Sequence, residues 1–189
     1  MDLKEALYSR RAVRMYEAAA VDERTIQSLI DAAIQAPSAI NEQPWSFTVV
    51  RDRALLARIS DAAKAYTLAA SPVGLLSHHF EEVLGDATFN IFYDAPVLLV
   101  IASKSEGPWA TIDCSLAAQN FMLAARAIGL GTCWIGFAQS YLATPEGKAQ
   151  INLPHAYLPV APIIVGYPVS FPPPVPRKPA EIRWVGTGA

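Results

Sequence analysis

Hydrophobic residues alternate between helical and strand spacing along most of the chain. Ile26, Leu29, Ile30, Ala33 and Ile34 form one apolar stripe, which predicts a helix over about 23–35. Asp22 caps it, and Pro37 stops it because the proline ring cannot continue the hydrogen-bond ladder. Upstream, Asp2 and Glu5 read as a capping pair for a first helix with Leu3, Ala6 and Leu7 on its inner face. Downstream, Ser46–Val50 is β-branched and aromatic, as a strand should be. Asp52 then opens a helix to about Ala65, with Leu55, Leu56, Ile59, Ala62 and Ala63 inward. Pro96–Ser103 is an almost unbroken apolar run, the pattern of a strand covered on both faces. Asp113–Ile128 is apolar nearly all round, which predicts a buried central helix, and Gly129 ends it. Thr132–Ile135 and Val160–Tyr167 read as two more strands, and Thr144-Pro145 as the start of a short helix.

Two stretches break this rhythm. Residues 66–94 are the least regular; Leu75–Leu84 predicts a helix, followed by a loop with Phe89, Phe92 and Tyr93. From Pro168 to Pro179 the chain is too rich in proline to fold on itself, and it leads to Ile182–Val185, read as a terminal strand. An extended tail of this kind implies reach.

The chain is organised around Ala36–Phe47. Ser38, Asn41, Glu42 and Gln43 gather on a short helix-to-strand loop pinned by Pro37 and Pro44. Loops held by a rigid scaffold are where binding groups sit. Ser38, Asn41 and Gln43 offer hydroxyl and amide groups of both donor and acceptor type. Gln43 and Trp45 also read as structural, holding the loop, and Trp45 reads as core rather than ligand.

Composition adds one inference and removes several. At 189 residues the chain is long enough for one well-buried core and short for two domains. A net charge of -2 calls for neither nucleic acid nor an anionic membrane. The strongest apolar run, Ala95–Ala102, is too short to span a bilayer, and the N-terminus does not read as a signal peptide, so the expected location is cytoplasmic. Cys114 and Cys133 are neither a disulfide framework nor a metal-binding set; both read as inert core thiols. Adjacent His78 and His79 point to different sides of a helix and read as a solvated face, not a metal site. Yet the chain is 52% hydrophobic and only 17% charged, against about 25% charged in typical soluble domains. That excess implies extra buried surface, most simply a homodimer interface of roughly 2,000 Å² or more. The alanine-rich 113–128 helix is then expected near the dimer axis.

Arg10, Arg11 and Arg14 raise the question of chemistry. Three guanidiniums so close repel one another unless carboxylates or a bound anion neutralise them; the other reading is a solvated surface turn. Arginine's planar fork meets two phosphate oxygens at once, and each such contact is worth about 1.5–3 kcal/mol. Arg177-Lys178 form a second basic pair on the arm. Gly136 closes the Thr132–Ile135 strand, where a glycine lets backbone approach a ligand. The Gly129-x-Gly131 pair follows a helix and precedes a strand, the reverse of a dinucleotide-binding loop.

The Arg10-Arg-Ala-Val-Arg14 run, the Pro37-Ser-Ala-Ile-Asn-Glu-Gln-Pro-Trp45 loop and Gly129-Leu-Gly-Thr-Cys-Trp-Ile-Gly136, in this order, resemble the nitroreductase family. The likeness runs from about Leu7 to Trp184, with 66–94 poorly matched. It implies an α/β (α+β) fold: a three-layer α-β-α sandwich around a mixed, mostly antiparallel sheet. Residues 1–189 would form one domain, whose arm, 168–189, crosses to the partner of a homodimer and adds an edge strand there. It further implies FMN as cofactor, NAD(P)H as co-substrate and an electron-poor acceptor such as a nitroaromatic or quinone, reduced by a ping-pong scheme. Alternatives are same-fold dehalogenation or flavin breakdown, or a non-catalytic flavin sensor or store. By the same likeness, Arg10, Arg11, Arg14, Arg177 and Lys178 surround the FMN phosphate. Ala12 stands where many relatives carry serine and offers only backbone. Pro37 and Ser38 lie under the flavin ring, Ala39 and Gln43 belong to the same set, and Asn41 reaches ring or ribityl oxygens. Trp134, Ile135 and Gly136 face the ring through backbone N–H groups; some relatives have glutamate at Gly136. No side-chain acid or base is implied. Segment 66–94 would help to cover the flavin.

Overall fold

The computed structural model describes residues 1–70 and 78–186. Its helices are α1 (Leu3–Ser9), α2 (Glu23–Ala33), α3 (Arg53–Ala70), α4 (His78–Gly85), α5 (Pro108–Ala127), α6 (Gly136–Leu142) and α7 (Pro145–Gln150). The strands are β1 (Trp45–Val50), β2 (Val97–Ser103), β3 (Gly131–Trp134) and β4 (Leu158–Gly166). They form one sheet in the order β1-β2-β4-β3, and all three pairings are antiparallel. Among the described residues, the parallel component is a single bridge between Ala12 and Thr132.

β2 sits in the interior of the sheet with every residue buried, which is why its sequence is an unbroken apolar run. Its alternate residues serve two cores. Val97, Leu99 and Ile101 face α2 and α5, while Leu98, Val100 and Ala102 face the layer of α3, α4, α6 and α7. A bulge between Ile101 and Ala102 displaces the register against β4, so Val160 and Ala161 both pack into the first core. The result is the three-layer sandwich expected.

The caps read from the sequence are present. Asp2 accepts the Glu5 N–H at 2.7 Å, Asp22 accepts the Thr25 N–H at 2.9 Å, and Thr144 accepts the Gly147 N–H at 3.0 Å. Gly129 takes φ 85° beyond the C-terminus of α5, and Leu130 donates back to the Ala125 carbonyl at 2.9 Å, a Schellman closure.

Three elements differ from expectation. α5 begins five residues earlier than Asp113, because Pro108 supplies a preset φ at its first position. Its outer face is not buried within the chain: Trp109, Ile112 and Leu116 are exposed. α3 runs on to Ala70, since no breaker intervenes before Ser71-Pro72. Ile182–Val185 forms no strand within this chain; Trp184 is 88% exposed and Val185 98%. Of the helix expected at Leu75–Leu84, residues 75–77 lie outside the described residues, as do the side chains of His78 and His79.

Candidate functional site

The expected site residues fall into two groups on opposite edges of the sheet. The first stands at β3. Val13 donates its N–H to the Thr132 carbonyl at 3.0 Å, and Ala12 bridges the same residue, so the Arg10–Arg14 run lies along the β3 edge. Gly131 makes this possible: a Cβ there would stand 2.8 Å from the Val13 side chain. Arg14 lines two adjoining cavities. One, of about 210 Å³, is walled by Ile91, Tyr93, Cys133, Trp134, Ile135, Gly136 and Phe137. The other, of about 410 Å³, is walled by Arg11, Ala12, Met15 and the arm residues Ser170, Pro172 and Val175.

The charges in this group are poorly compensated. Burial, then the repulsion of Arg11 and Arg177, lowers the pKa of Arg10, so the distal arginine does come within range of the first. Arg11 donates to the Tyr8 and Arg10 carbonyls at 2.9 and 2.7 Å, and its buried Nε has no partner among the described residues. Arg14 stacks its guanidinium 5.8 Å from the Tyr93 ring centre. Lys178 is exposed on the arm. The arm's first residues dock on their own chain: Val169 donates to the Met15 carbonyl at 3.1 Å, and Arg126 lies 3.7 Å over the Phe171 ring.

Gly136 does not end the strand; it is the first residue of α6. Its N–H therefore belongs to the first turn of a helix, where backbone donors have no intrahelical partner. A Cβ at Gly136 would meet nothing within 4 Å, so the glycine keeps the cavity open and the chain's own packing does not demand it. Trp134 and Ile135 pack into different cores, on opposite faces of the sheet. Burial raises the pKa of the Cys133 thiol and holds it neutral against the cavity wall.

The second group is the 37–43 loop, which precedes β1 at the other edge. Three inter-strand spacings separate β1 from β3, about 14 Å. Pro37, Ser38 and Ala39 line a separate apolar groove of about 520 Å³ with Ile40, Trp109, Ile112, Asp113 and Leu116. Gln43 braces the loop: its N–H reaches Ser38 Oγ and its Nε2 reaches Asn41 Oδ1, both at 3.0 Å. Trp45 is core, as expected.

Of the residues that wall the first cavity from the irregular segment, sequence reasoning named Tyr93 only as part of a loop and missed Ile91. Ile91 and Tyr93 are set there by a polar scaffold. Ser60 Oγ accepts the Ile91 N–H at 3.0 Å, and the buried Lys64 donates to the Asp86 and Phe89 carbonyls at 3.0 and 2.7 Å. Phe80 of α4 packs edge-on against Phe137, 5.7 Å between ring centres. A lysine among the apolar positions of α3 was the available signal. Among the described residues, no cluster of three His, Cys, Asp or Glu side chains is arranged to hold a metal, and no helix is long and apolar enough to cross a membrane.

A three-layer sandwich with an arginine-lined cavity at β3 and a rigid polar loop before β1 is the frame of a known class, and this chain belongs to the nitroreductase family, whose profile matches residues 7–167. It is 32% identical over 177 residues to a protein of Methanothermobacter thermautotrophicus provisionally named NADH dehydrogenase/NAD(P)H nitroreductase, covering 91% of this chain and 80% of that one. It is 28% identical over 200 residues to the nitrobenzene nitroreductase of Ectopseudomonas oleovorans, covering 87% and 86%. The crystal structure of a Bacteroides fragilis nitroreductase with bound FMN superposes with a TM-score of 0.86 at 25% identity, over 98% of this chain and all of that one.

Proposed function

We propose that this protein is an FMN-dependent oxidoreductase that works as a homodimer and uses NAD(P)H to reduce an electron-poor acceptor such as a nitroaromatic or a quinone. The observation that carries this reading is the Arg10–Arg14 run, held along β3 beside the cavity over Gly136. Family membership supports it, and so does the FMN bound in the Bacteroides fragilis relative.

The residues present fit an anionic mononucleotide. Burial and then its cationic neighbours depress the Arg10 pKa, and among the described residues the buried Arg11 Nε has no acceptor. A phosphate would relieve both, since charge-assisted contacts to arginine are strong and bidentate. Arg10, Arg11, Arg14 and Arg177 would hold that phosphate with help from Lys178, while Ala12 offers only its backbone. FMN, when bound, would supply the redox chemistry between NAD(P)H and the acceptor, a ping-pong scheme in which the two share one site. The protein's part is to bind, orient and exclude water. The first-turn N–H of Gly136, beside Trp134 and Ile135, would stabilise negative charge developing on the ring. Ile91, Tyr93 and Phe137 would wall the acceptor side from solvent. Catalysis then needs no side-chain acid.

The split between the two groups supports the dimer. Pro37, Ser38, Ala39 and Asn41 cannot reach the cavity at β3 of their own chain, so the loop would come from the partner, with Gln43 as its brace. Trp109, Ile112 and Leu116 on α5, and Leu3, Leu7 and Tyr8 on α1, form exposed apolar surface of the kind an obligate interface covers. Residues 1–189 would be one domain whose arm, 168–189, places Ile182–Val185 on the partner as an edge strand. A cytoplasmic location accords with this NAD(P)H-dependent chemistry.

The test is direct. The purified protein should show the two visible absorption bands of an oxidised flavin and oxidise NADH or NADPH when a quinone or nitroaromatic is supplied. A protein that stays colourless in excess FMN would overturn the reading. One that is yellow but turns over no acceptor would be a flavin store or sensor instead.

A further inference from the structure

Three non-glycine residues of the 37–43 loop lie in the left-handed region: Ile40 (φ 48°), Asn41 (φ 58°) and Gln43 (φ 52°). Such conformations are costly, most of all for a β-branched side chain, and persist only where the surroundings over-determine them. Within the loop the bracing is dense. Asn41 donates to the Ser38 carbonyl, Glu42 to the Ala39 carbonyl and Gln43 to Ser38 Oγ, each at 3.0 Å. These bonds fix the loop's shape but not its place on the molecule. Among the described residues, one side chain outside residues 37–43 takes a hydrogen bond from them: Asp113 of α5, whose two carboxylate oxygens both stand 3.2 Å from the Ala39 nitrogen.

Asp113 is out of character for its surroundings. It is 3% exposed and lines the groove with Pro37, Ile40, Trp109, Ile112 and Leu116. A buried carboxylate among apolar neighbours is costly unless its bonds are needed, and a leucine would match the α5 pattern. We propose that Asp113 is the positioning residue of the Pro37–Asn41 loop. By holding the Ala39 N–H it sets where Pro37, Ser38 and Asn41 stand against the flavin ring, and so removes the cost of ordering them on binding. The inference rests on the reading above that this loop faces the ring.

The experiment compares D113A, D113L and D113N in the full-length chain. Without flavin, amide exchange at Ala39 should accelerate roughly 10- to 100-fold in D113A and in D113L, the span of a charge-assisted hydrogen bond. D113L fills the volume and serves if D113A fails to fold. With flavin, both variants should lose FMN and riboflavin affinity by the same factor, because the loop meets ring and ribityl rather than phosphate. D113N keeps one acceptor oxygen and should recover most of both readouts. Unchanged Ala39 exchange in D113L would overturn the proposal. So would a loss confined to FMN, or a D113N as impaired as D113L. A wild-type chain that binds neither flavin, yet shows the exchange contrast, would count against the reading of the site and not against the tether.

Discussion

At the scale of single residues, the arginines carry the most specific expectations. Arg14 borders both cavities at β3, and its partners there are a tyrosine ring and open space. Arg14→Ala should therefore weaken FMN binding about 10- to 100-fold while leaving riboflavin within a few-fold, measured by fluorescence titration of each flavin. Equal losses would place Arg14 away from the phosphate. The thiols make the opposite kind of prediction. Burial, then the charge of Asp113, pushes Cys114 up to about 11 from an ordinary 9.0. A raised pKa favours the protonated folded form, so this contribution is intact below about pH 9 and lost as pH rises through about 11. The denaturant midpoint of wild type should fall more steeply over that window than that of Cys114→Ala, whatever the offset between them. Parallel curves would contradict the assignment. Residue-scale legibility followed sequence distance. Asp2, Asp22 and Thr144 act on N–H groups three residues away and could be read directly, whereas Asp113 acts on Ala39 across the fold and could not. Nor did the left-handed Ile40 announce itself, because no glycine marks the turn.

At the scale of elements, the joint between the N-terminal segment and β3 bears directly on binding. Val13 and Gly131 pack so closely that Gly131→Ala must push the Arg10–Arg14 run off the β3 edge. We expect destabilisation of about 1–3 kcal/mol, typical of overpacking, together with weakened FMN retention. Retention unchanged at lower stability would mean that the arginines keep their place without β3. Long amphipathic or unbroken apolar elements, α2 and β2 among them, were plain from periodicity because one buried face or two dictate the residue pattern. α6 was not. Its seven residues follow β3 with only Ile135 between them, so a strand-end glycine and a helix-start glycine look alike in sequence. The irregular segment hid Ile91 for a related reason: hydrogen bonds to Ser60 and Lys64 hold it, not a repeating apolar face.

At the scale of the whole molecule, the arginine run and the 37–43 loop stand at opposite sheet edges, and in the proposed dimer each chain would contribute one of them to each site. The excess of apolar composition, the exposed face of α5 and the unpaired Ile182–Val185 all find a use if two copies associate. Deleting residues 172–189 should then lower both dimer stability and flavin retention, read by sedimentation and by absorbance of the bound pigment. An intact pigmented dimer after truncation would remove the arm from the account. The sequence alone indicated a dimer through composition, but nothing in it located the loop and the arginines on different edges; that required the strand order. The most direct measurement is complementation. Arg10→Ala/Arg14→Ala and a loop variant, Ser38→Ala/Asn41→Ala, are each expected to lose flavin, and are to be unfolded and refolded together. Random pairing should restore flavin and NAD(P)H oxidation to about one quarter of the wild-type sites, since half the dimers are mixed and each holds one intact site. No recovery in a mixture proven to contain mixed dimers would show that each chain builds its site alone, and would contradict the account.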